Sequence, residues 1–103
     1  MPSFSELWSA YGSDPRPANL GEHVNGIALG ELDDEVQDVA GSYAGYRSIR
    51  RKIDAVRIAR LGIALAEIER LLPIIEPAAT REYFVRLAIL ARSLLGEVVA
   101  QDA

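Results

Sequence analysis

From Asp33 onward, apolar side chains return every three or four positions: Val36, Val39, Tyr43 and Tyr46, then Ile49, Ile53 and Val56, then Leu61, Leu65, Ile68 and Leu72. Such spacing keeps them on one side of a helix with about 3.6 residues per turn, so it predicts a long helix over 33–72. Its start is marked by Asp33, Asp34 and Glu35, whose charge complements the amino-terminal end of the helix dipole. Its end is set by Pro73, which removes an amide donor and crowds the preceding turn. Gly41 and Gly45 each cost about 1 kcal/mol relative to alanine inside a helix, so "AGSYAGY" is the place where this segment would divide. A second periodic stretch, Phe84, Leu87, Ala88, Ala91, Leu94, Leu95 and Val98, predicts a carboxy-terminal helix over 77–101, opened by Pro77 or Thr80. The connector "PIIEPAAT" is short enough to reverse the chain, which makes the two helices an antiparallel pair.

Ahead of them, Ser3 and Glu6 have the S-x-x-E spacing of a capping box, and Gly12 suits a helix stop, so residues 4–11 are expected to form a short helix. The segment "GSDPRPANLGEHVNG" reads mainly as loop, because its two prolines lack donors and its glycines raise the entropic cost of order. Asn25-Gly26 offers a tight hairpin between "EHV" and "IAL". Against it, Asn19 and Glu22 form a weak capping pair and Leu20, Val24, Ile27 and Ala28 share a helical face, which favours one irregular helical turn. The fold class is therefore all-α: an antiparallel helical hairpin or a small three- to four-helix bundle. It is one domain over 1–103, with a short helix plus loop over 1–32 and the two longer helical segments behind it.

The last helix carries more apolar surface than one hairpin partner can cover. Tyr83, Val85, Ile89 and Leu90 fall outside the face made by Leu87, Leu94 and Val98. The long segment behaves alike, since Ile49, Ile53, Val56 and Ile63 lie about a third of a turn from the Leu61, Leu65, Ile68, Leu72 stripe. Two kinds of cover are available. The short amino-terminal helix, with Phe4, Leu7, Trp8 and Tyr11, can fold back on one face; or a second copy or another protein supplies the surface, as large apolar patches usually mark interfaces. Tyr83, Val85, Leu87, Ile89, Leu90, Leu94 and Val98 are the candidate interface residues.

Charge is segregated along the chain. Residues 1–46 carry eight acids and one arginine, residues 47–60 five arginines, one lysine and one aspartate, and residues 61–103 six acids and four arginines, giving −7, +5 and −2 and the formal total of −4. The acidic and basic runs can neutralise each other in one molecule or steer self-association. Arg47, Arg50, Arg51 and Arg57 are the candidate anion-binding set, for an anionic metabolite or for nucleic acid. An acidic total and a pI near 4.9, with "ELDDEVQD" close by, weigh against nucleic acid.

Chemistry is constrained by what is missing. There is no cysteine, which removes disulfides, thiolate ligands and thiol nucleophiles and suits a reducing, cytoplasmic setting. His23 is the one histidine and falls in the loop beside Glu22, which weighs against a histidine metal site; the serines have no histidine at a recognisable triad spacing, and no cofactor is implied. Met1 to Tyr11 lacks the basic region and apolar run of a signal peptide, and charges interrupt both apolar stretches, so no membrane span is expected. "IRRKIDAV", Ile49 to Val56, resembles the R-x-x-I-D stretch of the small all-helical chorismate mutases, whose arginines grip a dicarboxylate; where that family places a second aspartate this chain has Arg57. "PSFSELWSAYGSDP", Pro2 to Pro15, resembles the opening of type VI secretion amidase effectors, whose catalytic cysteine is absent here. Neither activity is carried over. The expectation is a non-enzymatic helical interaction module, an adaptor, regulator or inhibitor bound to a protein partner or assembled as a homo-oligomer. The alternative is a small helical enzyme or binding protein that uses the Arg47–Arg60 basic run.

Overall fold

A computed structural model describes residues 2–48 and 52–102. Helix α1 (Phe4–Ser13) is followed by a miniature hairpin of β1 (His23–Val24) and β2 (Ile27–Ala28), then by α2 (Leu29–Ser48), α3 (Ala55–Leu71), a 3-10 turn (Leu72–Ile74) and α4 (Ala78–Asp102). The all-α expectation holds, with four α-helices among the described residues packed as a small bundle. Helix α1 opens on the capping pair: the Ser3 hydroxyl accepts from the Glu6 amide at 3.2 Å and donates to its carboxylate at 3.2 Å. It runs past Gly12 to Ser13, and the Asp14 amide closes it by donating to the Tyr11 carbonyl.

Two sequence expectations need correction. The hairpin, not a helical turn, occupies 23–28: Asn25 and Gly26 both take positive φ, 50° and 79°, the combination a two-residue turn of matching twist requires. Tertiary contacts override the local helical pattern. Gly30 donates to the Leu20 carbonyl at 2.8 Å, and a β-carbon on Gly30 would stand 3.0 Å from that oxygen. Asn19 is pinned on both sides, by Thr80, which donates to its side-chain oxygen at 2.7 Å, and by the Glu76 carbonyl, which it reaches at 2.9 Å.

The expected single helix over 33–72 is also two. The first begins earlier, at Leu29, and continues through Gly41 and Gly45 to Ser48, so the division does not fall at 41–45. The Trp8 ring lies over Gly41, within 3.7 Å of where a β-carbon would sit, and this packing offsets the intrinsic cost of the glycine. The second helix begins at Asp54, whose carboxylate caps it by accepting from the Arg57 amide at 2.9 Å. Ile49, Arg50 and Arg51, which the single-helix reading ran through, lie outside the described residues.

Helix α3 packs against both α2 and α4, and α1 packs against α4. The core is one continuous cluster. Phe4, Leu29, Val36, Val39, Tyr43, Leu61, Ile68, Leu71, Ile75, Phe84, Leu87, Ala91 and Leu94 are all essentially without solvent contact. Phe4 meets the edge of Tyr43 on α2 with ring centroids 5.1 Å apart, and the Tyr43 hydroxyl donates to Glu97 on α4 at 2.6 Å.

Candidate protein-interaction surface

What faces outward on α4 is decided by a polar knot beneath it. Asp33, in the second turn of α2, is only 3% exposed. One of its oxygens accepts from Tyr11 of α1 at 2.9 Å and from Tyr83 of α4 at 2.6 Å, while Arg16 reaches 3.9 Å from the other and lays its guanidinium 4.1 Å above the Tyr11 ring. Burial, then the Asp33 carboxylate, push the Tyr11 phenol up to about 12. The same two causes, in the same order, raise Tyr83. Both phenols therefore stay protonated and serve as donors, fixing three helices to one carboxylate. With Tyr83 turned inward, helical geometry turns Val85 and Ile89 outward.

This arrangement corrects most of the candidate interface. Tyr83, Leu87, Leu90, Leu94 and Val98 are core residues of the single chain, exposed by 5% or less. Their cover comes from the other helices, including α1, whose Phe4 and Tyr11 are buried with them and whose Leu7 and Trp8 pack against the same cluster. The amino-terminal helix thus supplies the surface that a hairpin alone would lack. Val85 and Ile89 remain outside, at 40% and 41% exposure. They begin an outward stripe, Val85, Ile89, Arg92, Gly96 and Val99, spaced by four and three residues along α4. Beside it, Ile89, Arg92 and Ser93 share a shallow cleft with Pro2 and Leu7 of the amino-terminal segment.

Helix α3 presents a second apolar stripe. Leu61, Leu65 and Ile68 point into the core, and on the opposite side Val56 and Ile63 stand 68% and 66% exposed. Ala59 and Ala66 are exposed between and beyond them, and a β-carbon on neighbouring Gly62 would meet nothing within 4 Å. The stripe extends toward Ile74 in the 3-10 turn, which is also exposed. Charged side chains flank it. Arg60 forms a fork to Glu35 of α2, its Nη2 donating at 2.9 Å, and reaches Asp38 at 3.5 Å; Arg70 pairs with Glu67 along α3. Glu35 holds Arg60 more firmly protonated than a free arginine. On the other flank, Glu69 meets Arg92 of α4 at 3.4 Å.

The basic run is drawn in part onto the chain's own acids. Arg57 is bonded to Asp54, the cap of its own helix, and Arg60 to the acidic face of α2. Of the candidate anion-binding set, Arg50 and Arg51 and the side chain of Arg47 lie outside the described residues. Among the described residues no helix is long and apolar enough to cross a membrane. No family model, no curated protein and no solved structure matches the chain.

The α3 stripe was half legible in sequence. Val56 and Ile63 stand out as apolar positions off the main face, grouped there with Ile53, which is in fact buried. Ile74 and Val99 carried no signal, because an apolar residue in a turn or at a helix end fits the bundle equally well.

Proposed function

We propose that the protein is a non-enzymatic interaction module, an adaptor, regulator or inhibitor, that docks other protein surface on the outward sides of α3 and α4. The observation that carries this reading is the distribution of exposed apolar bulk. Val56, Ile63, Ile74, Val85, Ile89 and Val99 are the exposed large hydrophobic residues among those described, and every one lies on α3, the turn after it, or α4. Scattered singly they would need no explanation, but here they repeat at helical spacing on the sides turned away from the core. Burying one such side chain contributes roughly 1.5 to 3 kcal/mol, so a few of them suffice for a specific contact.

The test is affinity capture from the native cell with the full chain and three variants: Ile63→Glu, Ile89→Glu and, as a control on α2, Asp34→Lys. The expected result is a stoichiometric protein partner held by the wild type and by Asp34→Lys and lost with Ile63→Glu or Ile89→Glu, while helical circular dichroism is unchanged. Capture unaffected by either apolar substitution contradicts the reading.

A further inference from the structure

We infer that the occupant of the α3 face is a second copy of this chain, paired antiparallel, α3 against α3; this rests on the interaction reading above and names its partner. Val56, Ala59, Ile63, Ala66 and Arg70 follow one another by three and four residues, the seam of a two-helix contact, along a 17-residue helix about 25 Å long. The seam alternates large and small. In an antiparallel pairing centred between Ile63 and Ala66, each Ile63 lies over the partner's Ala66, each Val56 meets the region of the partner's Ile74, and the stem of each Arg70 crosses the partner's Ala59. Large side chains thus meet small ones in every central layer, and Gly62 adds no bulk on the flank. A parallel pairing would instead stack Ile63 on Ile63 and Ala66 on Ala66, leaving gaps beside clashes.

Charge points the same way. Arg60 and Glu67 stand one heptad apart on the same flank of the seam, and both line the shallow groove that Ile63 shares with Ile27 and Glu35. Antiparallel helices bring like flanks together, so each Arg60 faces the partner's Glu67 and each Glu67 the partner's Arg60. Both side chains keep solvent exposure, 42% and 33%. Their partners inside the chain hold them in place: Arg60 is anchored by Glu35, and Glu67 by Arg70. On the opposite flank Glu69 faces Gly62 or Ala55 of the other copy, with no like charge opposed.

The decisive experiment is a charge swap followed by sedimentation equilibrium. Wild type is expected to dimerise reversibly, and Ile63→Glu to weaken the dimer at least a hundredfold. Arg60→Glu alone sets acid against acid in both flank contacts, and Glu67→Arg alone sets base against base in both, so each single variant is expected to be mainly monomeric. Mixed together, the two variants oppose acid to base in both contacts and are expected to recover dimer in the mixture alone. Circular dichroism of each variant reports that the fold is retained. A wild type that stays monomeric at millimolar concentration, or a dimer that neither single charge reversal weakens, or a mixture that recovers nothing, overturns the proposal. These results leave the wider reading distinguishable: a monomer whose captured partner is lost with Ile63→Glu keeps the interaction module and removes the second copy, whereas a monomer with capture unchanged by Ile63→Glu or Ile89→Glu removes both.

Discussion

Helices α2 and α3 are neighbours of similar length in one bundle, yet their outward sides are built from opposite materials. Among the described side chains, the exposed positions of α2 are Glu31, Asp34, Gln37, Asp38 and Gly45, whereas those of α3 include Val56, Ala59, Ile63 and Ala66. Both helices send an equivalent apolar face inward, Val36, Val39 and Tyr43 from one and Leu61, Leu65 and Ile68 from the other. The core therefore makes the same demand of each and cannot account for the difference outside. Solubility alone would give α3 a surface like that of α2. An apolar outward side on α3 is a cost in water unless it is covered, which is why the contrast bears on function and the shared inward pattern does not.

The same contrast exists within α4, residue by residue, and gives the largest expected effect. Leu90 is 1% exposed and Ile89 is 41% exposed. Leu90→Glu buries an unpaired carboxylate in the cluster and should destabilise the chain by more than about 4 kcal/mol, enough to lose the fold. Ile89→Glu should change stability by less than about 1 kcal/mol, because its side chain already meets water. Urea denaturation of the two variants checks this, and equal losses would mean that Ile89 belongs to the core.

Acidic residues on α2 offer a second pair. Asp33→Ala leaves the Tyr11 and Tyr83 hydroxyls without their shared acceptor and should cost about 3 kcal/mol, whereas Asp34→Ala, on the exposed side, should cost less than about 0.5 kcal/mol. A difference of that size in denaturation midpoints, at unchanged slope, would confirm that one of two adjacent acids is structural.

A pH dependence follows from the same knot. Tyr11 has a folded value of about 12 against an ordinary 10.0, so the folded state binds its proton more tightly than the unfolded chain. Its contribution is fully present below pH 10 and is lost as pH rises toward 12. Stability should fall across that window in wild type, and Tyr11→Phe should flatten the slope there. Phenolate absorbance should show Tyr11 ionising well after a free tyrosine, near pH 12. A modest effect is expected at the hairpin, where Gly26→Ala, at a φ of 79°, should cost about 1 kcal/mol in thermal unfolding without moving the helices.

How far the sequence could be read follows from these residues. The helices were visible because Val36, Val39 and Tyr43, and Phe84, Leu87 and Ala91, obey a short-range period that burial enforces. The hairpin and the division after Ser48 were not, since each depends on contacts distant in sequence or on one cap. Asn19 is held by Thr80, Gly30 approaches Leu20, and Asp54 starts α3 in the middle of an unbroken apolar pattern. Asp33 was legible as an acid near a helix start but not as a buried one, because its partners Tyr11 and Tyr83 lie 22 and 50 residues away. The interface residues failed for a related reason. An apolar residue on a helix announces that it will be covered, without saying whether the cover is α1 of the same chain, as for Leu90, or something beyond it, as proposed for Ile63.

The absence of cysteine makes a single introduced thiol a clean reporter of that cover. The most direct measurement compares the alkylation rates of Ala59→Cys on α3 and Gln37→Cys on α2 in the purified chain, concentrated and then diluted. A covered α3 face predicts that the thiol at position 59 is protected in the concentrated protein and becomes reactive on dilution, while the thiol at position 37 reacts alike in both. Equal reactivity of the two thiols at every concentration would contradict it.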